Sequence, residues 1–414
     1  MPNRDRLRGM LVGAASALVM IGLVACGQPE APTAEVEPEP TVLEPINELP
    51  NPYTTEDGWV MLPDAREWGS TAGVDIDPDG EHIWAIDRCG SNSCATSDLD
   101  PVLKIDPAGN VVASFGGGLM LFPHGIHVDP AGNVWISDAR GPDEEDPSQA
   151  GKGHVVIKFS PEGEVLLTLG EGGVAGDGTG ATLNTPNDVA VGPDGSVYVG
   201  DGHEGQNTDD PNTVARIAKF SADGEFIVSW GQWGSEPGEL KTPHALAFDS
   251  LGRLVVADRG NNRLQIFDEE GNAVEEFKQF SRPSDVHFGP DGMVYVADSE
   301  SAFDEVRNPG WTPGIRVGSL EDGSVSYFIN GAIEGHDRYS DGSNPEGVAV
   351  DAAGNVYGAV VSSGGAAHGN EDGHDVAITG SVPGVEGLNL GFGYSVRNYA
   401  AQSAAKNSDS REDG

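Results

Sequence analysis

The chain has 414 residues, of which 23 are lysine or arginine and 66 are aspartate or glutamate, giving a formal net charge of −43. A nucleic-acid-binding protein needs a basic face that displaces counterions from phosphates, so this composition argues against that class of partner. The 59 glycines and 28 prolines are typical of a domain with many turns. No stretch between the apolar segments has helical periodicity, which excludes a parallel sheet with crossover helices.

The N-terminus has the pattern of a targeting segment. Three arginines in the first eight residues precede an apolar run at 10–24, and the run ends in LVAC at Cys26. This resembles a bacterial lipobox, so we expect a signal peptide over 1–26, a lipid on Cys26 and anchoring to a membrane of the cell envelope, on its periplasmic or extracellular face. An ordinary signal peptide with an incidental cysteine is the alternative. Residues 27–56, rich in proline and glutamate, predict an extended tether.

Two further cysteines, Cys89 and Cys94, lie in the short segment DRCGSNSCA. An exported domain is in oxidising surroundings, so the pair predicts a small-loop disulfide. A metal site is the weaker alternative, since no other soft ligand is nearby in the sequence.

One pattern occurs six times: an alternating apolar strand, a turn of the D-P-x-G type and a second alternating strand. Such a pattern predicts a β-hairpin. The copies are STAGVDIDPDGEHIWAIDR (70–88), FPHGIHVDPAGNVWISDA (122–139), TPNDVAVGPDGSVYVGDG (185–202), TPHALAFDSLGRLVVADR (242–259), RPSDVHFGPDGMVYVADS (282–299) and NPEGVAVDAAGNVYGAVV (344–361).

Further strand pairs, such as RLQIFDEEGNAVEEF (263–277), lie between the copies, so each unit has two hairpins. Two hairpins make a four-stranded sheet, or blade, and blades become stable by packing in a ring. We therefore predict an all-β, six-bladed β-propeller of NHL-type repeats over 57–380. Residues 381–414 are expected to be partly disordered, although some of 387–400 could complete the last blade. We expect a monomer.

Aligning the six copies places one residue of each just before its first strand, on a ring around the central channel. The ring residues are Ala72, His124, Asn187, His244, Ser284 and Glu346. His124, His244 and Glu346 fall on blades 2, 4 and 6, so we expect them to converge on the axis. Two imidazoles and a carboxylate suit zinc or another divalent transition metal such as iron. In the alternative interpretation, each histidine only caps a strand or contacts solvent.

The last residue of the pattern is an arginine on two opposite blades, Arg88 on blade 1 and Arg259 on blade 4. Guanidinium groups at these positions could clamp a carboxylate or a polarised carbonyl beside the metal. A strand-end salt bridge to one of the many acids is the alternative. The repeated aspartates before these positions are interpreted as structural turn residues.

The repeats are of the NHL type, and residues 70 to about 270 resemble peptidyl-α-hydroxyglycine α-amidating lyase. The resemblance rests on the strand ending at Arg88, on FPHGIHVDPAGNVWISDA, and on the run from TPNDVAVGPDGSVYVGDGH to WGSEPGELKTPHALAFDSLGRLVVADRGNNRLQIF. That family is a zinc-dependent six-bladed propeller that cleaves glyoxylate from hydroxyglycine-extended peptides. The resemblance implies that both arginines line an active site.

The resemblance also marks where this chain departs from the family. The family's third zinc-binding histidine matches Glu346, and the carboxylate that follows it, a calcium ligand, matches Gly347. Val74 and Ile126 match the two backbone carbonyls of that calcium site. Glu346 could therefore bind calcium instead of the transition metal. The family's tyrosine base matches His203, which could take over the proton transfer.

These features predict an exported, metal-dependent lyase or hydrolase that acts on a small-molecule or peptide substrate. Arg88 and Arg259 would orient the substrate, and His203 would move a proton. Two alternatives remain open. One is a calcium-dependent, lactonase-like propeller in which Glu346 and Asn187 hold a hard cation. The other is a non-catalytic NHL propeller that binds a partner.

Overall fold

A computed structural model describes residues 43–56, 59–63, 66–301, 307–330, 344–361 and 396–401. Cys26, the expected signal peptide and most of the expected tether lie outside these residues. Within the described ranges, no helix is long and apolar enough to cross a membrane. The same ranges contain no α-helix, only strands and short 3-10 helices such as Pro147–Gln149, His203–Asn207 and Arg259–Asn261.

The strands form six four-stranded sheets. The first strand in the chain is β1 (Tyr53–Glu56). Blades 1 and 2 contain β2 (Thr71–Ile76), β3 (Ile83–Asp87), β4 (Val102–Ile105), β5 (Val111–Phe115), β6 (Pro123–Val128), β7 (Val134–Asp138), β8 (Val155–Phe159) and β9 (Val165–Gly170). Blades 3 and 4 contain β10 (Pro186–Val191), β11 (Val197–Asp201), β12 (Arg216–Phe220), β13 (Phe226–Trp230), β14 (Pro243–Phe248), β15 (Leu254–Asp258), β16 (Arg263–Phe267) and β17 (Ala273–Phe277).

Blade 5 contains β18 (Asp285–Phe288), β19 (Val294–Asp298), β20 (Gly314–Gly318) and β21 (Val325–Asn330). The sixth sheet contains β22 (Pro345–Val350), β23 (Val356–Val360) and β24 (Val396–Ala401), with β1 paired antiparallel to β24 at its outer edge. Blades 1 to 5 are thus continuous in the chain, whereas the sixth sheet joins the two ends of the domain. The first strand of each copy, β2, β6, β10, β14, β18 and β22, contacts the first strand of the next copy, and β22 contacts β2. The predicted propeller is confirmed.

The apolar core is divided among the gaps between the blades. Each of six clusters of buried apolar side chains draws its members from two neighbouring sheets. In the gap between blades 1 and 2, for example, Trp84 and Ile86 pack with Ile136 and Phe159. Because no single sheet can cover both of its faces, closure of the ring is what buries this apolar surface.

The predicted domain boundary at residue 57 needs correction. Tyr53–Glu56 forms a strand of the propeller, and Asn47 bonds to blade 5 through Gly310 and Thr312. The C-terminal boundary at 380 is also too early, because β24 is a strand of the closing sheet. The boundary at residue 57 was wrong because it was drawn from composition. β1 is short and polar, so it has no apolar alternation, and its partner β24 is more than 300 residues away in the chain.

The predicted disulfide between Cys89 and Cys94 is present. It closes the loop that follows Arg88, and Asn92 in this loop accepts a hydrogen bond from Arg88 Nη1 (2.8 Å). The disulfide therefore orders the surroundings of one of the two predicted site arginines.

Replacing both cysteines, Cys89→Ser with Cys94→Ser, should lower the free energy of unfolding by about 2 kcal/mol, the chain-entropy value for so short a loop. Urea unfolding of the variant and the wild type measures this difference. A reductant should destabilise the wild type by a similar amount and leave the variant unchanged. Equal stability of the oxidised wild type and the variant would show that the loop is ordered without the crosslink.

Candidate metal centre

The ring residues lie at irregularities of the first strands. The pairing register of β2, β6, β10, β14 and β22 shifts just after the first residue of each strand. In four of these strands, the residue left out of the ladder is a single ring residue, such as His244 between Pro243 and Ala245. A bulge places one extra residue and re-aims its side chain. The proline in front suits the position, since the first residue of a strand can lack a ladder donor.

Strand-end aspartates fix the segments that lead into these bulges. Asp138 accepts hydrogen bonds from the backbone of Leu121 (3.0 Å) and Phe122 (2.6 Å), just before His124. Asp258 accepts one from Lys241 (2.9 Å), before His244. These contacts agree with a structural role for the repeated aspartates.

The two ring histidines are held in the same way. His124 donates from Nδ1 to the carbonyl of Asn187 (2.9 Å), and His244 donates from Nδ1 to the carbonyl of Ser284 (2.6 Å). A carbonyl only accepts, so the proton is on Nδ1 and Nε2 carries a lone pair. Both Nε2 atoms are buried and have no hydrogen-bond partner among the described residues. Two of the predicted ring residues, Asn187 and Ser284, thus contribute backbone acceptors rather than side-chain ligands.

Glu346 is next to both unpartnered nitrogens. Its Oε1 is 3.8 Å from His124 Nε2 and 3.4 Å from His244 Nε2. Its Oε2 accepts a hydrogen bond from Ser299 (2.9 Å), and Arg259 Nη1 donates to Oε1 (3.4 Å). The structure therefore brings together the three residues that the sequence aligned on blades 2, 4 and 6.

The electrostatics keep the imidazoles neutral and the carboxylate ionised. Burial, reinforced by the charge of Arg259, lowers the pKa of His244 to about 4, and burial beside His244 lowers the pKa of His124 well below its usual value. For Glu346, burial favours the neutral acid, but His244 and Arg259 hold its pKa well below the usual range. At neutral pH the group presents two imidazole lone pairs and one negative charge.

A third imidazole, His203, reaches the same place. Its ring centroid is 5.0 Å from that of His124 and 5.7 Å from that of His244, and the three histidines offer ligand nitrogens within 4.8 Å of one another. His203 begins a 3-10 helix, and its backbone N–H donates to Thr185 Oγ1 (2.8 Å). A Cβ on Gly205 would be 1.4 Å from the Lys241 carbonyl, so only glycine lets this helix lie against the segment before His244. Sequence reasoning had assigned His203 to proton transfer and had not weighed it as a ligand.

Both predicted arginines are buried at this centre, but they are held differently. Arg259 donates from Nε to Gln206 (3.0 Å), and its Nη2 is 3.5 Å from His203 Nε2. Arg88 donates from Nε to the carbonyl of Pro123 (3.0 Å) and from Nη1 to Asn92. Burial lowers the pKa of Arg88 to about 10, which leaves it charged at neutral pH. The alternative interpretation, a strand-end salt bridge, also describes Arg259, whose partner is Glu346.

Sequence reasoning missed two residues that position the centre. Ser299, the hydrogen-bond donor to Glu346, occupies the position in its copy that Arg88 and Arg259 occupy in theirs, so the repeat alignment could have identified it. Gln206 accepts hydrogen bonds from both Arg259 and Arg282. It lies in the insertion after β11, where the repeat gives no register.

The residues expected to bind calcium through backbone carbonyls, Val74 and Ile126, line a cavity of about 230 Å³ further along the channel. Glu346 is not among the residues lining that cavity; it lines a smaller cavity together with His124, His244 and also Ile126. Calcium at Val74 and Ile126 stays a prediction. Asn187, expected to share a hard cation with Glu346, donates from its side chain to the carbonyl of Pro243 (3.0 Å).

Two aspartates that were not predicted, the buried Asp188 and the half-buried Asp285, line both cavities. Asp188 of blade 3 accepts a hydrogen bond from the backbone of Leu246 in blade 4, and Asp285 of blade 5 accepts one from Val348 in the next sheet (both 2.8 Å). Burial raises the pKa of Asp188 to about 7. Burial and the nearby Asp188 raise the pKa of Asp285 well above its usual value.

Comparison with known proteins finds an NHL-repeat match and relatives among the amidating lyases. Residues 240–267 match the NHL repeat family. The chain is 30% identical over 261 residues to peptidyl-glycine alpha-amidating monooxygenase A of Xenopus laevis, covering 57% of this chain and 26% of that protein. It is 28% identical over 292 residues to peptidyl-alpha-hydroxyglycine alpha-amidating lyase 1 of Drosophila melanogaster, covering 64% and 48%. It is 34% identical over 185 residues to NHL repeat-containing protein 3 of Mus musculus, covering 42% and 48%.

The chain is a β-propeller in which residues 240–267 match the NHL repeat, and it is similar to the amidating lyases. The resemblance expected from the sequence is therefore confirmed. The chain spans between about a quarter and a half of the length of these relatives.

Asp188 provides a test of the channel electrostatics. A carboxyl group whose pKa is raised on folding stabilises the protein below the unfolded pKa, and this stability is lost as pH rises through the folded pKa. Between pH 5 and pH 8 the wild type should therefore lose on the order of 3 kcal/mol of unfolding free energy relative to Asp188→Asn. Urea unfolding of both proteins at the two pH values measures this difference.

The exposed Asp223 provides the matched control, because Asp223→Asn removes the same charge from a surface turn. That variant should follow the pH dependence of the wild type. The buried aspartate would be ionised in the folded protein if Asp188→Asn also followed it.

Proposed function

We propose that this chain is a metal-dependent lyase or hydrolase of the amidating-lyase type that acts on a small polar substrate, such as a carbinolamide. The observation that carries the proposal is the pair of buried Nε2 atoms of His124 and His244, which have no hydrogen-bond partner among the described residues and lie 3.8 Å and 3.4 Å from Glu346 Oε1. Leaving a buried polar atom without a partner costs about 1–3 kcal/mol, and such atoms persist mainly where a ligand satisfies them.

The residues present fit a divalent transition metal. The Nδ1 hydrogen bonds of His124 and His244 to backbone carbonyls are the outer contacts that metal-binding histidines usually make, and they fix the tautomer and the ring orientation. Both imidazoles are already neutral, as ligation requires. Glu346, supported by Ser299, is the third ligand in this proposal. Two histidines and one glutamate are a donor set of catalytic zinc sites.

A metal bound by these groups would act as a Lewis acid toward a substrate oxygen. The chain's own residues then orient the substrate. Arg259 is fixed by Gln206 and Glu346, so its guanidinium is rigid at the edge of the centre. Arg88 uses Nε and Nη1 for contacts with the protein, and within the described residues Nη2 has no assigned partner. It is the donor available to a substrate carboxylate or carbonyl.

His203 is the residue that moves the proton. Arg259 can only donate, so the 3.5 Å contact between Arg259 Nη2 and His203 Nε2 leaves the lone pair of His203 on Nε2. Its Nδ1 is 3.6 Å from Glu204 Oε1, which favours a proton on Nδ1. A substrate hydroxyl that displaces this 3.5 Å contact with Arg259 can give its proton to His203 Nε2.

The names of the relatives support the substrate class. The Drosophila relative is named a peptidyl-alpha-hydroxyglycine alpha-amidating lyase. Cleavage of a carbinolamide breaks the bond between the hydroxylated carbon and nitrogen, converts the hydroxyl to a carbonyl, and transfers the hydroxyl proton to the leaving amide. A histidine that accepts a proton and returns it satisfies that balance.

Substitution of two histidines should separate ligand and base. His244→Ala should lower metal affinity by on the order of a hundredfold or more and abolish turnover, because it removes a ligand. His203→Gln should retain the metal and lower kcat by about 10²- to 10⁴-fold, the usual contribution of a general base. Metal content by mass spectrometry and glyoxylate release from N-acyl-α-hydroxyglycine measure the two effects.

His82→Ala is the control, since this partly exposed histidine pairs with Asp79 on a turn and should change neither quantity. Loss of metal in His203→Gln would make His203 a ligand instead of the base. The proposal would be contradicted if the wild-type protein contained calcium but no transition metal and hydrolysed lactones. That result would favour the lactonase-like alternative.

A further inference from the structure

Eight of the ten arginines whose side chains the structure describes form ion pairs with an aspartate or glutamate. Such pairing is expected in a chain with 66 acidic and 23 basic residues. Within the described part of the chain, two arginines have no acidic partner: Arg88 and Arg140.

These two arginines stack on the same aromatic ring. The guanidinium carbon of Arg88 is 3.7 Å from the centre of the Phe122 ring, and that of Arg140 is 4.0 Å from the same centre. The Phe122 ring is in turn 6.2 Å from the ring of His124. The unpaired charges are therefore beside the candidate metal centre rather than scattered over the surface.

Repulsion between the two guanidiniums makes this arrangement costly without an anion. The charge of Arg140 adds to burial in lowering the pKa of Arg88. Stacking on an aromatic ring recovers only about 0.5–2 kcal/mol per cation. The carboxylates in electrostatic range, Glu346 near Arg88 and Glu204 near Arg140, belong to the metal centre and to His203, and neither forms an ion pair with this pair of arginines.

The geometry points to a subsite for an anionic group of the substrate: Arg88 and Arg140, stacked on Phe122, bind a carboxylate that the substrate carries in addition to its reacting end. This inference rests on the proposed function for the position of the reacting end. Arg259, on the His203 side of the centre, is fixed by Gln206 and Glu346, whereas Arg140 is exposed and its guanidinium has no hydrogen bond in the described residues.

Arg140 is therefore a specificity residue, and it follows immediately after the strand-end position of blade 2. Planar guanidinium groups match a carboxylate, and a hydrogen bond to a charged group contributes about 1.5–3 kcal/mol. Because Arg140 is exposed and screened by solvent, we expect the lower part of that range, equivalent to about a tenfold difference in affinity.

Binding of two unreactive probes tests the subsite independently of turnover. N-succinylglycine carries a second carboxylate, and N-succinamoylglycine carries an amide at the same position. By calorimetry on the metal-loaded protein, the wild type should bind the first about tenfold more tightly. Arg140→Gln should abolish that preference while leaving the affinity for the amide probe within twofold, and Arg140→Lys should retain part of it.

Arg253→Gln is the matched control, because it removes the same charge from a surface arginine that is paired with Asp249. It should leave the preference at about tenfold. The subsite is refuted if the wild type binds both probes equally, or if Arg140→Gln keeps the preference. Absence of glyoxylate release together with an Arg140-dependent preference would contradict the proposed reaction but not the subsite.

Discussion

The centre depends on one interaction made twice, the hydrogen bond from an imidazole Nδ1 to a backbone carbonyl of the next blade. His124 bonds to Asn187 and His244 bonds to Ser284 in this way. Each bond requires a closed ring, because its donor and acceptor come from different sheets. Each also depends on the irregular start of the first strand, which aims the imidazole along the ring. Together these constraints fix the tautomers, so that both Nε2 lone pairs face Glu346.

The same repeat therefore has two chemical roles that alternate around the ring. Even-numbered blades contribute a side chain that can bind a metal, and blades 3 and 5 contribute the carbonyl that orients it. Asp188 and Asp285 follow those carbonyls and accept backbone hydrogen bonds from blade 4 and the closing sheet. If the order of the copies were shifted by one blade, the backbone carbonyls would no longer face imidazole donors. The candidate metal centre therefore depends on the order of the copies. The buried Nε2 atoms of His124 and His244 lower the stability of the fold at the candidate metal centre.

How far sequence reasoning reached depended on whether a residue lies inside the repeat. The copies share a register, so alignment predicted the propeller and the meeting of His124, His244 and Glu346. It failed where the register ends. Gln206, which it missed, lies in the insertion that follows His203, and the path of this insertion is set by the contact of Gly205 with Lys241, more than 30 residues away in the chain. The alignment placed Asn187 on the ring, but we considered only its side chain as a ligand and not its carbonyl as the acceptor for His124. The outer strand β1 was missed because its partner, β24, is at the other end of the domain.

The acidic net charge of the chain makes unpaired arginines near the centre significant for binding an anion. A protein with a formal charge of −43 repels an anionic substrate at long range, and salt screens that repulsion beyond about 8–10 Å. Close to the centre, recognition of an anion therefore requires positive groups that the many acids have not neutralised. Arg259 is partly neutralised by Glu346, which is the third ligand in the proposed metal site. Arg88 and Arg140 are not neutralised, and Phe122 keeps them beside His124. The local charge thus opposes the charge of the whole chain, which is consistent with a site that selects anionic substrates at short range.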